Sequence, residues 1–246
     1  MLATTRFETV LGELVTELPL LRQSVGEVPN GETARIMQAA CLPHDAVFVT
    51  PMAAVAGAVA ETVLAAMVAA GAVTRAYVNN GGDIAIHLNP GQSFRLAMAG
   101  LDGTDRGRIT IADDDPVRGI ATSGRGGRSH TMGIADQVTV LAATAAMADV
   151  AATLIANAID LPGDPKITRA PANALSPDSD LGPRLVVTGV GPLTADACAT
   201  ALARGQTTAR AMLDRGLIHG AALFLGDETR LIGAPTLLTQ KEPAHA

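Results

Sequence analysis

The sequence predicts an α+β fold in which antiparallel strands pack against two long buried helices. Two apolar, Ala-rich stretches, residues 51–73 and 144–159, have apolar residues on most faces and read as buried helices. Residues 76–101 alternate apolar and polar positions around turn signals, the pattern of hairpins. Hydrophobic residues make up 48% of the chain but aromatics only 2%, so close packing must rely on small and branched side chains. Long helices mixed with hairpins point to α+β layers and away from a doubly wound parallel sheet.

Along the chain, residues 6–24 read as a short extended segment running into the helical periodicity of ELVTELPLLRQSV, interrupted at Pro19. VPNGETARIMQAACL predicts a turn and a short helix with Thr33 near its start. AVFVT (46–50) reads as a short strand, and Pro51 opens the long small-residue helix. AYVNNGGDIAIHL and FRLAMAGL read as strands, with NPGQS between them as a hairpin turn. RGRITIA is a further strand, and the acidic turn DDDP (113–116) precedes RGIATSG. DQVTVLAA (136–143) is a β-branched strand, and TAAMADVAATLIANAI (144–159) is the second buried helix. Residues 161–183, rich in Pro, Asp and Ser, are expected to form a surface connector. RLVVTGVG then predicts a strand, LTADACATALARGQTTARAMLDRG a long helix, and LIHGAALFLG with RLIGA a closing strand pair. The tail TQKEPAHA is expected to fray. A single domain over 1–246 is expected, with a connector at 160–183 and a strand–helix–strand part at 184–235.

The charge balance, 24 acidic against 18 basic residues for a net −6, disfavours nucleic acid as a partner. The absence of Trp, with one Tyr and four Phe, also leaves few platforms for base stacking. Two widely spaced cysteines, Cys41 and Cys198, have neither disulfide-framework nor metal-ligand spacing, which fits a reduced, cytoplasmic setting. The charged N-terminus lacks the apolar run of a signal peptide. Residues 51–73 are long enough to span a bilayer, yet Ala and Gly dominate, Glu61 sits centrally and no Lys or Arg flanks them. A helix packed against a sheet or a partner subunit is expected instead, with no membrane and a homo-oligomeric assembly.

Three stretches carry chemistry. NNGGDIAIH (79–87) offers two glycines that permit a tight backbone and project Asp83; a hairpin corner explains the same residues. GIATSGRGGRSH (119–130) can wrap backbone N–H groups around an anion or form a solvated turn. MADVAAT (147–153) places Asp149 and Thr153 four apart on one helix face, oxygen donors suited to a hard cation. An exposed helix edge would also accommodate that pair.

The order of these segments resembles the ApbE superfamily, whose best-known members are FAD:protein FMN transferases. The counterparts of N-x-GGD, A-T-S-G, S-H, V-T-V and A-D-A-x-A-T are Asn79–Asp83, Ala121–Gly124, Ser129–His130, Val138–Val140 and Ala148–Thr153. The resemblance implies a T-fold-related architecture, with Mg²⁺ on Asp149, Thr153 and the backbone carbonyl near Ala121. It implies that Asn80, Gly81, Gly82, Asp83, Thr122, Ser123 and Gly124 hold the nucleotide portion of FAD, and Glu61 stands near the family's acidic position. Arg125 or Arg128 would offset phosphate charge and Ser129 would border the ligand; for a smaller carboxylate or heterocycle in the same pocket, His130 or Asp83 would serve as acid–base groups. The family's D-P-x-T-G segment after Ser-His is replaced here by TMGIADQV, and its helix lysine is absent. The chain therefore looks most like a short, uncharacterised cytoplasmic branch. Two other readings stay open: an enzyme acting on a small carboxylate or heterocycle, and a non-catalytic binding or interaction module. Asp178 and Asp180 read as turn residues with metal binding as the alternative, Cys198 as core, and a nucleophilic Cys41 lacks a base–orienter partner.

Overall fold

In the computed structural model, which describes residues 2–100, 103–233 and 238–239, the chain forms the expected α+β arrangement of helices and antiparallel sheets. The order is α1 (Leu2–Thr16), α2 (Leu18–Leu21), α3 (Glu32–Cys41), α4 (Val55–Ala69), β1 (Arg75–Asn80), β2 (Asp83–Leu88), β3 (Ser93–Ala99), β4 (Asp105–Ala112), β5 (Gly119–Ser123) and β6 (Gln137–Ala142). There follow α5 (Ala145–Ala158), β7 (Ile167–Pro171), α6 (Ala172–Leu175), β8 (Leu185–Val190), α7 (Ala195–Asp214), β9 (Gly220–Leu225), β10 (Glu228–Gly233) and β11 (Leu238–Thr239).

A six-stranded sheet, β1-β2-β5-β6-β9-β10, is antiparallel throughout. One face packs on α4, α5 and α7, where Ala121, Val138, Val140 and Leu223 meet Ala148, Ile155 and Leu202. Ile120, Leu141 and Phe224 face the opposite way, onto Met98, Ile109 and Ile111 of a smaller sheet, β11-β4-β3. Strand β6 is therefore buried at all six positions, as a central strand covered on both sides must be. Helix α5 lies between the sheet and other helices, and its alanines let those neighbours approach closely. Thr144 caps it, accepting the Met147 N–H at 3.3 Å. Helices α1 and α3 pack outside α4 through Val10, Leu14, Ala34 and Met37.

The segment Pro51–Ala69 is long and apolar enough to cross a membrane by length and composition. Here it begins with a 3₁₀ turn at Pro51–Ala54 and continues as α4 between α1, α3, α5 and strands β1 and β2. Its central Glu61 is not a ligand of the cavity described below. The carboxylate accepts the Ala146 N–H at 2.7 Å and so satisfies the start of α5. Burial pushes the Glu61 carboxyl up, while hydrogen bonds from Ala146, Thr144 and Ala145 hold it back.

Several local expectations need correction. The N-terminus is helical from Leu2, because a Val10/Leu14 stripe is buried and Arg6 reaches two turns along to Glu13 at 2.6 Å. AVFVT forms no strand: Val49 is buried, and the Phe48 ring packs 3.2 Å from the Arg184 guanidinium carbon. NPGQS is not a hairpin turn. The hairpin is β1–β2, closed by Gly81 and Gly82 at φ +71° and +116°, whereas β3 pairs with β4. The connector contains α6 and strand β7, which pairs with β8 and is anchored where Arg169 meets Asp160. The expected tail, apart from the backbone of Thr239, lies outside the described residues, as do Leu101 and Ala234 at two strand ends.

Candidate functional site

The Gly81–Gly82 turn, the end of β5, the first turns of α4 and the middle of α5 converge on a cavity of about 610 Å³. That volume falls within the usual range for small-molecule sites. Asp83 begins β2 and points into the cavity floor, where its Oδ1 accepts the Thr122 N–H at 3.1 Å. Asp149 projects from α5, and its Oδ2 accepts the Gly57 N–H at 3.0 Å. One turn further along α5, Thr153 lines the same cavity, and its hydroxyl has no partner among the described residues. The i, i+4 spacing thus places both oxygens at one site.

The two carboxylates interact. Burial pushes the Asp83 carboxyl up to about 6, against the restraining hydrogen bond from Thr122. Asp149 is held well above the usual carboxylate range, first by burial and then by the Asp83 charge, with the Gly57 and Ala56 N–H groups opposing. Neither carboxylate forms a salt bridge among the described residues. A raised carboxyl pKa favours the neutral form in the folded protein, so this stabilising contribution is present at low pH and lost as pH rises through about 6. A bound divalent cation reverses the balance by favouring both charged forms. For a Mg²⁺ ion held at Asp149, the gain in melting temperature over chelator-treated protein is expected to be small near about pH 5 and to keep growing above about pH 6, because Asp149 loses its proton after Asp83. A gain independent of pH would contradict this.

Loop 119–130 supplies the other wall. Ser123, Gly124, Arg128, Ser129 and His130 line the cavity, and Thr122 lies at its edge. The Arg128 guanidinium lies against the hairpin turn: a Cβ on Gly81 would stand 2.5 Å from Nη2. Arg128 forms no ion pair among the described residues. His130 Nε2 is 3.1 Å from the Ser176 hydroxyl, tying the loop to the connector. The loop is not an open nest throughout, because Arg125 N–H and Gly127 N–H donate to the Ala135 and Gly124 carbonyls.

Two expected site residues, Arg125 and Glu61, are placed differently. Arg125 pairs with Asp136 at 2.5 Å and lines neither cavity of the site. Ala121 is fully buried between β2 and β6, so only its backbone carbonyl is relevant. Glu61 serves the start of α5, as described above. Asn80 lines the cavity and donates to the Ala56 carbonyl at 3.1 Å, while Gly82 borders a second, adjoining cavity.

Further lining residues come from outside the three chemistry-bearing stretches, among them Asp180, whose turn position leaves metal binding as the alternative. Asp180 enters the cavity from the connector and accepts a short hydrogen bond from the Thr50 hydroxyl. Phe48, Asn157 and Ser176 also line it. AVFVT and the Asp-rich connector carried the available signal, but nothing local in either stretch points toward a distant helix. Cys41 is buried, and its thiol is pushed up to about 12 by burial and the Asp149 charge, so it is no nucleophile at neutral pH.

Among the described residues no three His, Cys, Asp or Glu side chains gather as a metal cluster. The donors that line the cavity are a carboxylate pair and a threonine hydroxyl. That set fits a hard, water-retaining ion such as Mg²⁺ better than Zn²⁺.

A family model described as AbpE bacteria matches residues 1–231. A UPF0280 protein of Methanopyrus kandleri is 41% identical over 131 residues, covering 51% of this chain and 48% of its own length. One from Methanococcoides burtonii is 41% identical over 115 residues, covering 46% and 48%. A third, from Methanothrix thermoacetophila, is 34% identical over 154 residues, covering 61% and 64%. The chain thus spans about half the length of the first two and 64% of the third.

Proposed function

Because this chain belongs to the AbpE bacteria family and is ApbE-related, we propose that it is a metal-assisted enzyme acting on a flavin nucleotide. It would cleave the diphosphate of FAD or pass the FMN half to an acceptor hydroxyl. The observation that carries this reading is the Asp83–Asp149 pair, facing one cavity with Thr153 and Arg128 and lacking a salt-bridge partner among the described residues.

Asp149, Thr153 and the Ala121 carbonyl would hold Mg²⁺, which when bound supplies neutralisation of charge developing on the diphosphate. Arg128, over the Gly81–Gly82 turn, contributes a second positive charge for the phosphates. Ser123 and Gly124 position the nucleotide at the end of β5. Asp83, with its carboxyl near 6, is suited to accept a proton at neutral pH. The acceptor oxygen attacks the FMN-side phosphorus, its proton passes to Asp83, and the bond to the bridging oxygen breaks. AMP leaves with that oxygen. With water as acceptor the products are FMN and AMP.

TMGIADQV in place of D-P-x-T-G weighs toward a cleft for a smaller carboxylate or heterocycle. A second reading, an enzyme acting on a smaller heterocycle or carboxylate, draws on the scarcity of ring platforms. Phe48 is the one aromatic residue lining the larger cavity among the described residues, and Arg184 covers it.

Incubation of purified protein with FAD and Mg²⁺ is expected to yield AMP and FMN, or AMP with a flavinylated acceptor, by mass spectrometry. No AMP, with no change in flavin fluorescence on titration, would remove the flavin reading and leave the second.

A further inference from the structure

A second cavity, of about 420 Å³, lies between the six-stranded sheet and β3–β4. It shares Gly81, Thr122, Ser123, Gly124, Gly127 and Arg128 with the first. The interlayer is built from Ile120, Leu141 and Phe224 against Met98, Ile109 and Ile111, of which Ile120, Met98 and Ile109 also line the cavity. At the cavity the same faces of β5 and β6 carry Thr122, Thr139 and Gln137.

Gln137 and Thr139 are deeply placed, 7% and 2% exposed, while Thr122 is exposed near the end of β5. Gln137 Nε2 donates to Thr139 Oγ1 at 3.1 Å, and Thr139 Oγ1 lies 3.1 Å from Thr122 Oγ1. The carbonyl end of the Gln137 amide has no partner among the described residues. This oxygen is not a sealed orphan: it opens onto the cavity, where water or a ligand donor satisfies it. A purely structural interlayer would have continued with apolar side chains.

The walls are apolar, from Ile84, Leu96 and Met98, and only Asp136 and Arg128 among the lining residues are charged. Asp136 is already matched by Arg125 and by the Gly226 N–H at 2.7 Å. An amide end presented between flat apolar walls suits a ring whose edge places a donor beside an acceptor. We infer that this cavity is a ring-binding subsite for an uncharged heteroaromatic group, with Gln137 as the residue that reads the ring edge. The inference rests on the preceding reading for the position of the phosphates beside Arg128, at the junction of the two cavities.

The test compares wild type with Gln137→Met, which keeps volume and removes the amide. The probes are FMN for a flavin ring, AMP for a purine ring, and pyrophosphate with Mg²⁺ as a ringless control, each titrated calorimetrically. Either FMN or AMP is expected to weaken roughly tenfold or more, with pyrophosphate unchanged. The one that weakens identifies the ring. Gln137→Glu, which keeps shape but adds charge, should weaken the same probe. Unchanged binding of both ring probes, no binding of either to wild type, or equal loss of pyrophosphate overturns the subsite. FAD turnover with an insensitive Gln137→Met sinks the subsite alone; a ring probe weakened by Gln137→Met, with no AMP released from FAD and no flavin binding, sinks the flavin reading and keeps the subsite.

Discussion

Gly57→Ala is expected to cost about 3 kcal/mol or more of stability and to abolish ligand binding. A Cβ at this position of α4 would stand 2.3 Å from the Ala145 carbonyl oxygen and 2.6 Å from the Ala146 nitrogen. Those are backbone atoms at the start of α5, so no side-chain rotation relieves the overlap and the helices must separate. Separation also removes the Gly57 N–H from Asp149 and the Glu61 carboxylate from Ala146. Fold and site therefore fail together. Gly12→Ala is the matched control, because a Cβ there meets nothing within 4 Å. It should stabilise exposed α1 by about 0.5–1 kcal/mol. Urea denaturation of both variants checks this, and a Gly57→Ala change within about 0.5 kcal/mol would show that the helix seam is not close-packed.

Asp149→Asn should separate stability from function. The amide is nearly the same shape and its oxygen can still accept the Gly57 N–H, but the repulsion with Asp83 disappears. Without Mg²⁺ at about pH 8, the variant is expected to be more stable than wild type by on the order of 1–3 kcal/mol. It should also lose the Mg²⁺-dependent rise in melting temperature and about 10³-fold or more of AMP release from FAD. The Asp83 carboxyl should stay near about 6, because burial holds it there and Asp149 is still neutral when Asp83 loses its proton. Melts with and without Mg²⁺, set beside the turnover assay, resolve these effects. A variant less stable than wild type at that pH would mean that Asp149 serves the fold.

The chain's layers were readable because each depended on a local signal. The Ala-rich composition of α4 and α5 marked close-packed helices, and the Asp149–Thr153 spacing marked one helix face. Pairing was not readable in the same way. Alternation in AYVNNGGDIAIHL and FRLAMAGL identifies strands but not their sheets, so NPGQS looked like the hairpin turn, whereas Gly81–Gly82 closes it. AVFVT has strand composition, yet its side chains are used by long-range partners: Arg184 over Phe48 and Asp180 at Thr50. Arg125 illustrates the same limit. Its charge suits a phosphate, but Asp136, eleven residues along, already holds it. The Gln137 signal was present as polar residues at alternate positions of an otherwise apolar QVTVLA strand, though only the opposing sheet shows that they border a cavity.

The most direct test of the central claim is an anomalous-scattering map from crystals grown with FAD and Mn²⁺ in place of Mg²⁺. A single strong peak bounded by the Asp149 carboxylate and the Thr153 hydroxyl is predicted, with phosphate density of substrate or product reaching Arg128. A bound nucleotide with no metal peak at Asp149, or a metal peak outside the cavity, would contradict the account.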